Sequence, residues 1–451
     1  MLSGTNIPSR RRSPMKDCAM SVTKRIQRLT GETGRADRPD RRSEINALRA
    51  RIERILARRP QSRPALPVMP FEREVRSLTD VIAGWEAATL HGSCFVSDGL
   101  ADPSSLHGNR PIESLSRINM DAASLLANDR FLKNHPLTDG LFLDTETTGL
   151  AGGSGTLTFL IGLGWFEKDG FATRQIFVRD FAEERAALSI LAKLAQNKRF
   201  LVTFNGKSFD VGLLTTRFIL NRLQNPLTGM PHLDLLYPAR RLLGHRLENC
   251  RLVTIEEKIF GFFRRDDIPG SEIPQRYFAW LKRRDPGLIS GVFEHNRLDV
   301  ISLAGLMARL TELIDVPGER TRTDLRDALA AARLLIERKD DPRARHLLEC
   351  VAVSGREAAA REARRMLSLI HKRDSRWEEA VRLWQEMLLE DDGDRFALIE
   401  LAKWHEHRSC DPERALELVR HAIDRAPEAT PFEQQALVHR LHRLEKRFHP
   451  K

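Results

Sequence analysis

Four acidic residues, spread over three separated segments of this 451-residue chain, have the types and placement of a metal-binding set. In "LFLDTETTGL", residues 141–150, Asp144 and Glu146 stand two apart at the end of an apolar run. Residues i and i+2 of a strand point to the same face, so the two carboxylates project together. Like charges so close raise each other's pKa unless a cation lies between them. A hard divalent ion answers that arrangement, because it takes several carboxylate oxygens and fills its remaining positions with water. "VTFNGKSFD" then places Asp210 in the first turn of a helix that follows a strand. "EHNRLDV" places Asp299 in a helix, with His295 four residues earlier on the same face. Flanked by Leu298, Val300 and Ile301, Asp299 would be costly to desolvate without a partner. Each residue also has an ordinary reading: a solvated strand end for the pair, a dipole-favoured acid for Asp210, a packed side chain for His295. In this order and in these element types they form a candidate divalent-metal centre.

The elements that would position them emerge from the patterning. "LFLDTET", "LTFLIGLGWF" and "RQIFVRDF" read as three successive strands, with "AGGSGT" as a tight turn between the first two. That glycine cluster lacks a GK[ST] ending and joins two apolar strands, so a hairpin turn fits it better than a phosphate cradle. "EERAALSILAKLAQ" has helical spacing, and "RFLVTFNG" returns to strand and ends in an Asn-Gly turn at Asn205. "SFDVGLLTTRFILNRL" reads as a helix, "HLDLLYPARRLL" as a further strand, and "VTIEEKIFGF" and "QRYFAWLKRR" as helices around the loop "RRDDIPGSEIP". A long helix, "SGVFEHNRLDVISLAGLMARLTEL", closes the region. Strands followed by alternating helices describe an α/β domain with a mixed sheet. Asp234, in "HLDLL", is placed to sit near the acids without taking part in the chemistry.

After about Asp315 the pattern is helical throughout. Aligning "DPRARHLLECV", "RWEEAVRLWQEML" and "DPERALELVRHAI" superposes Ala344, Ala380 and Ala415, and places Leu347, Leu383 and Leu418 in one register. A period in the mid-thirties with small residues at helix contacts resembles tetratricopeptide arrays, although any amphipathic bundle supplies alanine and leucine at such spacings.

The net charge of +11 is concentrated at the start. Residues 1–64 hold 17 Lys or Arg and 6 Asp or Glu, which leaves 56 of each sign in the remainder. The excess belongs to an arm that could bind phosphates through counterion release, or that is simply a solvated leader. "PQSRPALPVMP" separates this arm from the rest of the chain as an extended linker. We therefore expect a largely disordered arm and linker over 1–70, a lead-in with short elements over 71–139, the α/β domain over 140–315 and helical repeats over 325–447. Five scattered cysteines, Cys18, Cys94, Cys250, Cys350 and Cys410, have no zinc spacing and fit a reducing cytoplasm. No run is long enough to span a bilayer, and the start lacks a secretory h-region. Met1, Met15 and Met20 are alternative starts.

The motifs "DTETTG", "FNGKSFD" and "HNRLD" resemble the three motifs of the DEDD superfamily of 3′-to-5′ exonucleases, built on the ribonuclease H-like fold. With "DIPGSEIPQRYF" and "HNRLDVISL" added, residues 140–315 are similar to the bacterial YprB-type ribonuclease H-like proteins. The resemblance implies that Asp144, Glu146, Asp210 and Asp299 hold two Mg²⁺ or Mn²⁺ ions for in-line phosphodiester cleavage. It implies His295 as general base, although histidine-bearing members carry one more residue before the last Asp, and members with this shorter spacing carry tyrosine. It further implies that Thr147, Thr148, Gly149, Asn205 and Asn296 line the substrate pocket. The expected partner is DNA or RNA at a 3′ end; a protein partner could dock on residues 325–445. A nucleic-acid-binding module without turnover is the alternative.

Overall fold

Leu141, Phe142 and Leu143 are all buried, on both faces of one strand, as a central strand of a covered sheet requires. The computed structural model describes residues 76–149, 155–315, 324–354, 357–425 and 430–448. The basic arm and proline-rich linker, the alternative starts and most of the "AGGSGT" turn lie outside the described residues.

Nine strands are described: β1 (Trp85–Thr89), β2 (Gly92–Ala101), β3 (Leu106–His107), β4 (Arg110–Pro111), β5 (Gly140–Thr147), β6 (Thr158–Glu167), β7 (Gly170–Phe177), β8 (Phe200–Thr203) and β9 (His232–Asp234). Seven make one sheet in the order β1-β2-β7-β6-β5-β8-β9, and β3 and β4 form a small separate ribbon. Strands β5, β8 and β9 run parallel; the other neighbours in the large sheet are antiparallel. The sheet is therefore mixed, as the pattern of strands and helices predicts. It also starts earlier than residue 140. Cys94, Phe95 and Val96 of β2 are buried, and β2 pairs with β7 along Phe95 to Ala101, so part of the segment read as a lead-in extends the sheet.

One reading changes. "HLDLLYPARRLL" is a strand only at His232–Asp234, after which Leu236–Leu243 is a helix. Its apolar residues are ambiguous locally, but Leu236, Ala239, Leu242 and Leu243 recur at helical spacing and are buried together. Pro238 lies within the first turn, where its missing N–H costs no helical bond.

The long helix Ser290–Ile314 crosses one face of β5, β6 and β7. Glycines of "LIGLGWF" let it come close. A Cβ on Gly164 would lie 2.5 Å from Val300 Cγ1, and one on Gly162 would lie 2.2 Å from Asn296 Oδ1. The helix Glu184–Ala195 covers the opposite face through Ala187, Leu188 and Leu191. Seven further helices are described from Leu325 to Phe448, successive ones in contact, with Ala344, Ala380 and Ala415 each fully buried. Buried Asp327 on the first of them meets Arg246 at 2.7 Å and His245 at 3.0 Å, which ties that helix to the sheet-bearing region. No helix among the described residues is long and apolar enough to cross a membrane.

Candidate active site

Strand β5 carries its acids out of the core at its C-terminal end. Asp144 is opposite Gly162 of β6, and the register shifts between Glu146 and Thr147. Asp144 therefore faces the long helix over a glycine, where Asn296 Nδ2 donates to its Oδ2 at 2.9 Å. Asn296 is itself fully buried, and its Oδ1 accepts from Gln175 at 2.9 Å. In this structure the Asn296 amide, expected at the substrate pocket, is enclosed and orients Asp144.

Asp210 is the first residue of the helix Asp210–Leu220, and Thr145 donates a hydrogen bond to its Oδ1. The turn that delivers it is held by Asp234, which is buried and accepts from the backbone N–H of Asn205 at 2.7 Å, Lys207 at 3.0 Å and Leu236 at 3.1 Å. Asn205 sits at φ +67°, a left-handed conformation that asparagine tolerates, and so serves the turn through its backbone. Thr147 Oγ1 donates to the Gly149 carbonyl, and Thr148 exchanges hydrogen bonds with Leu157 through its amide and its hydroxyl. Among the described residues, a Cβ at position 149 would meet only Thr156 Oγ1, at 3.8 Å.

The helix Ser290–Ile314 brings His295 and Asp299 over β5. His295 Nε2 is 3.4 Å from Asp299 and 3.9 Å from Glu146, and these three residues offer ligand atoms within 4.8 Å of one another. A second such group, His245 with Asp324 and Asp327, already has Arg246 and Arg309 on Asp327, so its charge needs no ion.

Several residues of the site carry no signal in the sequence pattern. Arg264, whose side chain is 2% exposed, pairs with Asp299, with both oxygens of Glu256 at 2.6 and 2.7 Å, and with Asp267 at 3.4 Å. Asp267 in turn lies 2.7 Å from His295 Nδ1, and the His295 Nε2 faces Asp299 and Glu146. Glu256 opens a π-helical turn, Glu256–Phe260, that follows the helix Leu252–Ile255, and Ser302 also donates to it. The only sequence sign of this apparatus is the density of charge in "RRDDIPG".

The electrostatics are those of crowded acids. Burial, then Asp299 and Asp210, hold the Asp144 carboxyl well above the usual range. Burial, then Asp144, Asp299 and Asp210, do the same for Glu146. Burial pushes Asp210 up to about 6, against the Thr145 hydrogen bond. Arg264 is the cation that touches this set, and its single charge leaves most of the negative charge uncompensated. Oxygen-rich, crowded and undercompensated, the donor set fits hard divalent ions. In the metal-free chain, a folded-state pKa above the unfolded value gives stability that is present at low pH and lost as pH rises through the folded value. Asp210→Asn is therefore expected to flatten the fall in stability between pH 3.8 and about 6, as read from urea midpoints in EDTA across that window.

A model of the RNase H superfamily matches residues 141–311. That fold supports a nuclease-type hydrolase, and enzymes of the class usually use divalent metals, for which the Glu146, His295 and Asp299 group offers ligand atoms. Over 311 residues the chain is 34% identical to "Uncharacterized protein YprB" of Bacillus subtilis (strain 168), covering 68% of this chain and 74% of that protein. The chain belongs to the YprB family within the RNase H superfamily.

Proposed function

We propose that the chain is a metal-dependent nuclease that removes nucleotides from the 3′ end of DNA or RNA. The observation that carries this reading is the proximity of Asp144, Glu146, Asp210 and Asp299, where burial, and after it the neighbouring acids, raises the pKa of each of the first two. These four would hold two Mg²⁺ or Mn²⁺ ions, which when bound supply Lewis acidity and lower the pKa of a water. The rest is done by the chain's own residues. His295, its ring oriented by Asp267 at Nδ1, accepts the proton of the attacking water at Nε2. Asn296 holds Asp144 in its rotamer, and Arg264 holds Asp299. Thr147, Thr148 and Gly149 border the end of β5, where the terminal nucleotide would lie. We assign residues 325–447 to a separate tetratricopeptide-like region for docking a protein partner, and the whole to the cytoplasm.

The test is the product pattern. With Mn²⁺ or Mg²⁺, a 5′-labelled single strand of DNA or RNA is expected to give a ladder that shortens stepwise from its 3′ end. Internal cuts alone would overturn the exonuclease assignment; no cleavage of any strand, recessed ends included, would overturn the nuclease.

A further inference from the structure

Beside the carboxylates, on the other flank of the helix Ser290–Ile314, lies an open groove of about 570 Å³, within the size range of ligand sites. Leu100, Leu106, Phe263, Arg265, Arg297 and Leu298 are among its walls. The segment Phe262–Arg265 lines the groove, and Arg264 within it also pairs with Asp299 of the acid cluster. Phe262 packs on the His107 ring at 4.3 Å, Arg264 turns inward to Asp299, and Asp267 reaches His295. Phe263 and Arg265, also in the groove wall, make no such contacts among the described residues.

Phe263 is 68% exposed and has no ring contact among the described residues. An exposed phenyl face on a groove wall, beside the exposed Leu100 and Leu106, offers a flat surface on which a base can stack. Arg265 has no ion pair or hydrogen bond among the described residues, whereas the groove's acids are engaged. Glu294 is gripped by Arg297 at 2.7 and 2.9 Å, and Asp102 accepts from the Ser104 amide and hydroxyl. Burial pushes His107, in the wall, down to about 4, so it adds no charge near neutral pH. The groove therefore offers an aromatic face, aliphatic walls and a free guanidinium, and Arg264, one of its lining residues, pairs with Asp299.

We propose that this groove is the track for the single strand leading into the active site, with a base stacked on Phe263 and a phosphate paired to Arg265. Stacking on aromatic rings and pairing of phosphates with basic side chains are how single strands are held without regard to sequence. The occupant rests on the nuclease reading, but the groove's role is a binding role and is measured without turnover.

The experiment is fluorescence anisotropy of a short labelled oligo-dT or oligo-U with the full chain in EDTA. Phe263→Ala is expected to weaken binding about tenfold, with Phe263→Trp retaining it. Arg265→Ala is expected to reduce the slope of log affinity against log salt by about one. Because Phe263 is exposed, the thermal midpoint should not change with these substitutions. Affinity for both strands unchanged in Phe263→Ala and Arg265→Ala overturns the proposal, as does a wild-type chain that binds no strand, which would leave the groove to a protein. Cleavage in Mn²⁺ with Phe263-independent binding overturns the groove alone; Phe263-dependent binding with no cleavage overturns the nuclease reading alone.

Discussion

Replacing Asp144 by asparagine is expected to lower strand cleavage about a thousandfold, or about 4 kcal/mol of transition-state stabilisation, while raising the thermal midpoint of the metal-free chain. Both effects have one cause. The carboxylate is buried beside Asp210, Glu146 and Asp299, and its charge is repelled by theirs. Asparagine keeps the shape, and its amide oxygen still accepts from Asn296 Nδ2, so the fold loses a repulsion and no hydrogen bond there. What is lost is a ligand oxygen and a negative charge. Sites that hold like charges together for chemistry give up stability to do so, and their neutral variants recover it. Cleavage of an end-labelled strand and thermal unfolding in EDTA check the two halves; a fall in both would assign Asp144 to folding.

Arg264→Met is expected to destabilise the metal-free chain by about 3–5 kcal/mol, the cost of breaking a buried ion pair by removing one partner. The guanidinium is 2% exposed and is shared by Glu256, Asp267 and Asp299. Glu256 is fully enclosed, and without Arg264 its remaining partner is the Ser302 hydroxyl. Because bound Mn²⁺ stabilises only the folded state, adding it should recover part of the loss by mass action. Urea unfolding with EDTA and with Mn²⁺ measures both; a loss below about 1 kcal/mol would mean that the desolvation of Arg264 cancels its pairing.

How much of the fold and site is readable from the chain depends on whether a residue acts through local pattern or through tertiary placement. Asp144, Glu146, Asp210 and Asp299 announce themselves because each lies at a fixed position in a strand or helix whose period is visible. His295 shares a helical face with Asp299 for the same reason. The strands β5, β6 and β7 are legible as apolar runs, but β2 is not, because only Cys94, Phe95 and Val96 of it are buried and the rest of its length is exposed or half-buried. Asn296 reads as a polar neighbour of the site. Its burial depends on Gly162, distant in sequence, leaving space for an amide. Arg264, Asp267 and Glu256 sit in a loop and a π-helical turn, where no period exists to place a side chain, and their roles come from contacts made across the fold. Thr147, Thr148 and Gly149 stand at or just past the end of β5, and Asn205 contributes a backbone turn.

The central claim is that the carboxylate cluster is the cleaving apparatus. The most direct measurement compares initial rates of wild-type chain and Asp144→Asn on one end-labelled single strand in Mn²⁺, at matched concentration and verified fold. Cleavage by the wild type and about a thousandfold less by the variant is the predicted result. Equal rates for the two proteins would contradict the account.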